Sequence, residues 1–86
     1  MKTVDTMGKL ATIGKVTIRV FGNDHLPPHF HVKGGGIDAQ LSIETVEVIA
    51  GELTADLHKE IKAWVAANRA ALVTEWNTWN PHVPFA

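Results

Sequence analysis

Between Lys15 and Phe21 the apolar residues Val16, Ile18 and Val20 alternate with Lys15, Thr17 and Arg19. A period of two in β-branched residues predicts a half-buried strand beginning near Ile13. Gly22-Asn23-Asp24 closes it. Leu26-Pro27-Pro28 follows, and because each proline fixes its own φ and restricts the residue before it, this stretch is expected to be a stiff extended connector. His29 to Lys33 alternates again, and the glycines at 34, 35 and 36 turn the chain into a third strand, Ile37 to Ile43.

Side-chain parity constrains how these strands pair. If Phe30, Val32, Ala39 and Leu41 all face one core, opposed residues must share a face. A two-residue turn at Gly35-Gly36, where φ must be positive, satisfies this. It sets Phe30 opposite Leu41, Val32 opposite Ala39, His31 opposite Gln40 and His29 opposite Ser42. A turn at Glu44-Thr45 leads to a fourth strand, Val46 to Ala50, with Leu41 opposite Val48 and Ser42 opposite Glu47.

After Gly51 the period changes. Thr54 can cap a helix through its hydroxyl. Leu57, Ile61, Trp64, Val65, Asn68, Leu72, Trp76 and Trp79 recur at steps of three or four, which is a helical stripe. Pro81 ends it. An unbroken helix from Ala55 to Trp79 would run roughly 37 Å, against roughly 20 Å for the strands. It is therefore expected to bend near Ala67-Asn68, with Asn68 capping a second segment, rather than to project. The expected fold is α+β: a four-stranded antiparallel meander with this C-terminal helix, long or broken near Asn68, across one face. Residues 13–80 form the single domain, between a flexible N-terminal tail at 1–12 and a C-terminal tail at 81–86.

The chain has 86 residues, so it holds one core. It buries only roughly 60% of its unfolded surface, near the size at which a partner or a homodimer supplies missing stability. It has no cysteine, which excludes a disulfide scaffold, thiolate zinc sites and a cysteine nucleophile. No apolar run reaches a membrane span and Met1 to Thr12 lacks a signal-peptide core, so the expected compartment is the cytoplasm. Lys2, Lys9, Lys15, Arg19 and Lys33 outnumber the acids before residue 44, and acids predominate after it. That is no strong nucleic-acid footprint, although a small RNA contact on the first half is open.

Histidine is the outlier, with five residues, and it alone titrates near neutral pH without perturbation. With the helix on the apolar face, the other face is expected to display Thr17, Arg19, His29, His31, Asp38, Gln40, Ser42 and Glu47. His29 and His31 point the same way from one strand, roughly 6 to 7 Å apart, close enough to share a metal or to act as an acid and base pair. Asp24 and His25 can fold over them. As an RNA-cleaving site, His31 is the base, His29 the acid, Arg19 the phosphate holder, and Asp24 orients His25 or His31; Gln40 and Ser42 are substrate-binding candidates. As a metal site, His25, His29 and His31 are the candidate ligands, and an Asp-His-His set suits zinc, manganese or iron. A divalent metal is the one candidate cofactor. Against both stands plain solubility, since a solvent-facing strand is polar anyway. His58 is expected to be exposed, His82 has no argued neighbour, and Trp79 is the candidate partner contact.

The block Asp24-His25-Leu26-Pro27-Pro28-His29-Phe30-His31, with Ile43-Glu44-Thr45, Gly51, Trp64 and Trp76 after it, resembles an uncharacterised bacterial family, the domain of unknown function 4160. The resemblance covers about residues 12 to 79. It implies no catalytic role for any residue. Genes of the family often neighbour another short uncharacterised protein, an arrangement that resembles a toxin and antitoxin pair. The expected function is therefore a small component of a toxin–antitoxin type module, as a His-dependent ribonuclease-like toxin. A non-catalytic protein-binding module or a His/Asp metal-binding domain is the alternative. The expected partner is a small protein encoded nearby.

Overall fold

Val16, Ile18 and Val20 are buried while Thr17 and Arg19 between them are half-buried, as a strand with one face on a core requires. The computed structural model describes residues 9–22 and 24–85. In it, β1 (Lys9–Ile13), β2 (Val16–Arg19), β3 (His29–Gly34), β4 (Ile37–Ser42) and β5 (Val48–Ala50) form one antiparallel meander in chain order, followed by α1 (Ala55–Trp79).

The fold is α+β as expected, but the sheet has five strands, not four. Lys9 to Ile13, of which residues 9–12 were expected in the N-terminal tail, pairs with β2 through a tight turn at Gly14-Lys15. The register slips between Lys9 and Ala11, and such a bulge breaks the alternation by which a strand is recognised. Leu10 and Ile13 pack against the core. The rest of the expected tail, residues 1–8, lies outside the described residues.

The β3–β4 register is the one parity demands: Phe30 pairs with Leu41, Val32 with Ala39, His31 with Gln40 and His29 with Ser42. Gly35 and Gly36 make the turn at φ +58° and +83°. Leu41 pairs with Val48, and the Ser42 amide donates to the Glu47 carbonyl at 2.9 Å. The connection is wider than a two-residue turn, however. Val46, expected in the strand, is buried at φ +60° within the turn, and its amide donates to the Ser42 carbonyl at 2.9 Å.

The Thr54 hydroxyl accepts the Leu57 amide at 3.1 Å and starts α1. Ile61, Val65, Leu72 and Trp76 bury one stripe of the helix against Phe30, Leu41 and Ile43 in a common core. The helix breaks at Asn68, whose φ of −133° and ψ of 21° are not helical. The Asn68 side-chain amide donates back to the Trp64 carbonyl at 2.8 Å, a bond of the kind that competes with the helix ladder and bends it. The bend was expected. The bond joins Asn68 to the preceding turn, whereas the expectation was a cap for the following one. Beyond the bend, Arg69 reaches across to donate to the Ile43 carbonyl at 2.6 Å.

Residues 81–85, expected as a tail, fold back on the helix. The buried Trp76 indole donates to the Val83 carbonyl at 2.8 Å, and the Phe85 amide donates to the Asn77 side chain at 2.7 Å. An indole N–H in a core needs such a partner. Val83 and Phe85 are half-buried against the core.

Candidate functional site

The loop between β2 and β3 carries Asp24, and the second half of α1 brings a buried side chain beneath it. Asn80, the C-cap, is fully buried; its oxygen accepts the Asp24 amide at 2.7 Å, and its amide group donates to the Phe21 carbonyl at 2.9 Å. Leu26-Pro27 is a cis peptide and the chain bends there, where an extended connector was expected. The bend returns the chain to His29, whose Nδ1–H donates to the Pro27 carbonyl at 2.7 Å.

Asp24 sits at the centre. Its Oδ2 lies 3.0 Å from His29 Nε2 and 3.3 Å from His31 Nε2, while Oδ1 lies 3.3 Å from His25 Nδ1 and accepts the His25 amide at 3.0 Å. His31 Nε2–H donates to Oδ2. The His29 contact is close but not aligned as a hydrogen bond, so His29 Nε2 is buried without a hydrogen-bond partner, as is His31 Nδ1. Among the described residues, Asp24, His29 and His31 each offer a ligand atom within 4.8 Å of the other two.

Burial acts against the Asp24 charge, but hydrogen bonds from His31 and the His25 amide, with the charges of His29 and His31, outweigh it and leave the carboxyl below its ordinary range. Burial likewise pushes His31 down, and the opposing bond to Asp24 does not restore it; the charges of His29 and Lys33 lower it further. Burial thus favours the neutral form of the His31 imidazole.

His29 and His31 project together, with ring centroids 5.1 Å apart, but the expected open display is not found. His29 is only 2% exposed and His31 12% at the side chain. The bent helix end is the reason: Trp76 lies 5.5 Å from the His29 ring, centroid to centroid. Phe21 meets the His31 ring edge-on at 4.5 Å. His29, expected as a surface acid, is thus shielded from solvent.

The other candidates fall as follows. Arg19 pairs with His31 across β2 and β3, and Gln40 pairs with it across β3 and β4. Ser42 spends its hydroxyl on the turn, accepting the Glu44 and Thr45 amides at 3.1 Å each. The His25 ring, a candidate ligand, stands 85% exposed outside the compact group, and Asp24 takes its place there. Trp79 is half-buried, its indole donating to Glu75 at 2.6 Å. His58, expected to be exposed, is half-buried and donates to the Val46 carbonyl at 2.7 Å.

Three residues that sequence reasoning missed complete the site: Asn80, Trp76 and His82, whose Nε2–H donates to the Asp24 carbonyl at 3.3 Å. They stand more than 40 positions from Asp24 and His29 in the chain, where no local pattern couples them. Pro81 after Asn80 marks the helix end and is the only signal near them.

Residues 16–77 match the family described as a domain of unknown function, DUF4160, and the chain belongs to it. Comparisons with curated proteins and with solved structures gave no match. Among the described residues no helix is long and apolar enough to cross a membrane.

Proposed function

We propose that the chain is the small component of a bacterial toxin–antitoxin type module and that it cleaves RNA at the Asp24 cluster. One observation carries the reading: Asp24 Oδ2 accepts from the half-buried His31 and lies 3.0 Å from the buried His29, while Oδ1 lies 3.3 Å from Nδ1 of the exposed His25. An exposed imidazole beside a carboxylate can act as a general base toward a hydroxyl. His25 thus replaces His31 as the base. It removes the proton of a ribose 2′-hydroxyl; the 2′-oxygen bonds to phosphorus, the bond from phosphorus to the 5′-oxygen breaks, and solvent returns a proton to the departing oxygen. Arg19, the cross-strand neighbour of His31, balances charge on the phosphate.

A second reading, a protein-binding module, is favoured by Leu26. It is 55% exposed beside the cluster and lines a depression of about 300 Å³ with Pro28, Glu44, Pro84 and Phe85. An antitoxin docked there would also cover His25.

Expression of the chain alone tests the first reading. Growth should stop, recover with the neighbouring gene, and continue in His25→Ala and Asp24→Asn cells; the purified protein should leave 2′,3′-cyclic phosphate ends on RNA. A wild-type chain that neither slows growth nor cuts RNA, or a His25→Ala chain as toxic as wild type, overturns it. A Leu26→Asp chain that loses a captured small partner while His25→Ala keeps it would favour the second.

A further inference from the structure

We propose that Asp24, His29 and His31 form a binding site for one divalent transition-metal ion, a property independent of what the domain cleaves. The argument starts at His29. Its Nδ1–H is committed to the Pro27 carbonyl at 2.7 Å, so in the neutral ring the lone pair sits on Nε2. That nitrogen is buried, without a hydrogen-bond partner, and 3.0 Å from a carboxylate oxygen. Two electron-rich atoms this close, out of water, need a positive charge between or beside them.

A proton and a metal ion make different geometric demands. A hydrogen bond wants nitrogen, hydrogen and oxygen near one line, and the His29 contact is not so aligned. A metal ion wants its ligands to converge on a third point. With bonds of roughly 2.0 to 2.1 Å to nitrogen and oxygen, two ligands of a tetrahedral ion stand about 3.3 Å apart. The separations from Asp24 Oδ2 to the two Nε2 atoms are 3.0 and 3.3 Å, and the ligand atoms of all three residues lie within 4.8 Å of one another.

The surroundings match the proposal. A ligating histidine almost always donates its other N–H to a carbonyl or carboxylate, which fixes the ring, and Pro27 does this for His29. Asp24 is held through its own backbone by Asn80 and His82. Two imidazoles and one carboxylate suit zinc, cobalt, iron(II) or manganese, with positions left for solvent or substrate. In the protein without an ion, the His31 proton fills part of the gap, bonded to Oδ2 at 3.3 Å; when the ion takes its place at Nε2, the ring carries its proton on Nδ1 instead.

The test uses untagged full-length protein stripped with chelator. Cobalt(II) and zinc(II) are titrated separately by calorimetry, and the cobalt complex is read by its visible ligand-field absorption. One ion should bind per chain. Asp24→Asn, nearly isosteric and checked for folding by circular dichroism, should weaken binding at least about 100-fold, as should His31→Ala; His58→Gln, away from the cluster, should not. Binding no tighter than millimolar, or unchanged affinity in the folded Asp24→Asn protein, overturns the site. Because cobalt binding is read without RNA, this outcome is separable from that of the cleavage assay.

Discussion

Asn80 and Asp24 stand 56 positions apart in the chain, and the side-chain oxygen of the first accepts the amide hydrogen of the second at 2.7 Å. The same buried side chain donates to the Phe21 and Trp76 carbonyls, at 2.9 and 3.3 Å. It joins the end of α1 to the loop that carries the carboxylate. Asn80→Ala removes three bonds and leaves backbone groups unpaired around a residue fully out of water. At about 1 kcal/mol for each, the loss is about 2 to 4 kcal/mol, or roughly 10 to 20 °C in the melting midpoint of a domain this small. Thermal unfolding followed by circular dichroism checks it; a change under about 1 kcal/mol would mean that solvent replaces the clamp.

The bend at Asn68 gives a prediction in which local and tertiary effects oppose each other. Alanine is the better helix former, by roughly 0.5 to 0.7 kcal/mol, so a peptide of residues 55–79 should gain helicity on Asn68→Ala. The whole chain should lose about 1 to 2 kcal/mol, because a straighter helix draws Trp76 off His29 and takes the Asn80 clamp with it. Helicity of the peptide and urea midpoints of the chain are the two measurements. Parallel gains in both would show that the bend positions nothing.

What could be read in advance follows from range. The pairings of Phe30 with Leu41 and His31 with Gln40 are legible because the period-two pattern and the Gly35-Gly36 turn leave one register that keeps the apolar side chains on one face. The bend at Asn68 is legible because the helix outruns the strands. β1 is not, since its bulge hides the alternation of Leu10, Ala11 and Ile13. The Asp24 cluster is half legible: the sequence puts both imidazoles on one side of a strand. That Trp76 and Asn80 return to close over His29 depends on contacts across dozens of residues, for which the sequence holds no local signal.

Two glycines of the β3–β4 hairpin, one ending the strand and one in the turn, should respond differently to a single methyl group. At Gly34, with φ +135°, an added Cβ would stand 2.2 Å from the Lys15 carbonyl oxygen; at Gly36, with φ +83°, it meets nothing within 4 Å. Gly36→Ala then carries only the left-handed backbone cost, about 1 to 2 kcal/mol. Gly34→Ala adds a backbone collision that the β2–β3 ladder cannot relieve without moving, for a total of about 3 to 5 kcal/mol. Denaturant midpoints of the two variants, measured side by side, decide it. Equal losses would mean that the hairpin shifts freely and that the register of His31 against Arg19 is soft.

Acid should destabilise the ion-free protein in two stages of the same sign. The unfolded His31 takes up a proton near the ordinary value of about 6.5, whereas the folded ring, desolvated beneath Phe21 and beside His29, does so only at lower pH. Between those points the unfolded chain holds more protons, so stability falls as pH drops. Asp24 continues the fall. Its folded carboxyl stays ionised below the ordinary range of about 3.9, so the stability it adds is present above that value and disappears as pH falls through the lowered one. Urea midpoints in chelator should therefore be level above about pH 7 and decline from about pH 6.5 downward. His31→Gln should remove the upper part of the decline and leave the lower. A midpoint that rises between about pH 7 and 5 would mean that the folded state favours the charged imidazole, with Asp24 outweighing the burial that depresses it.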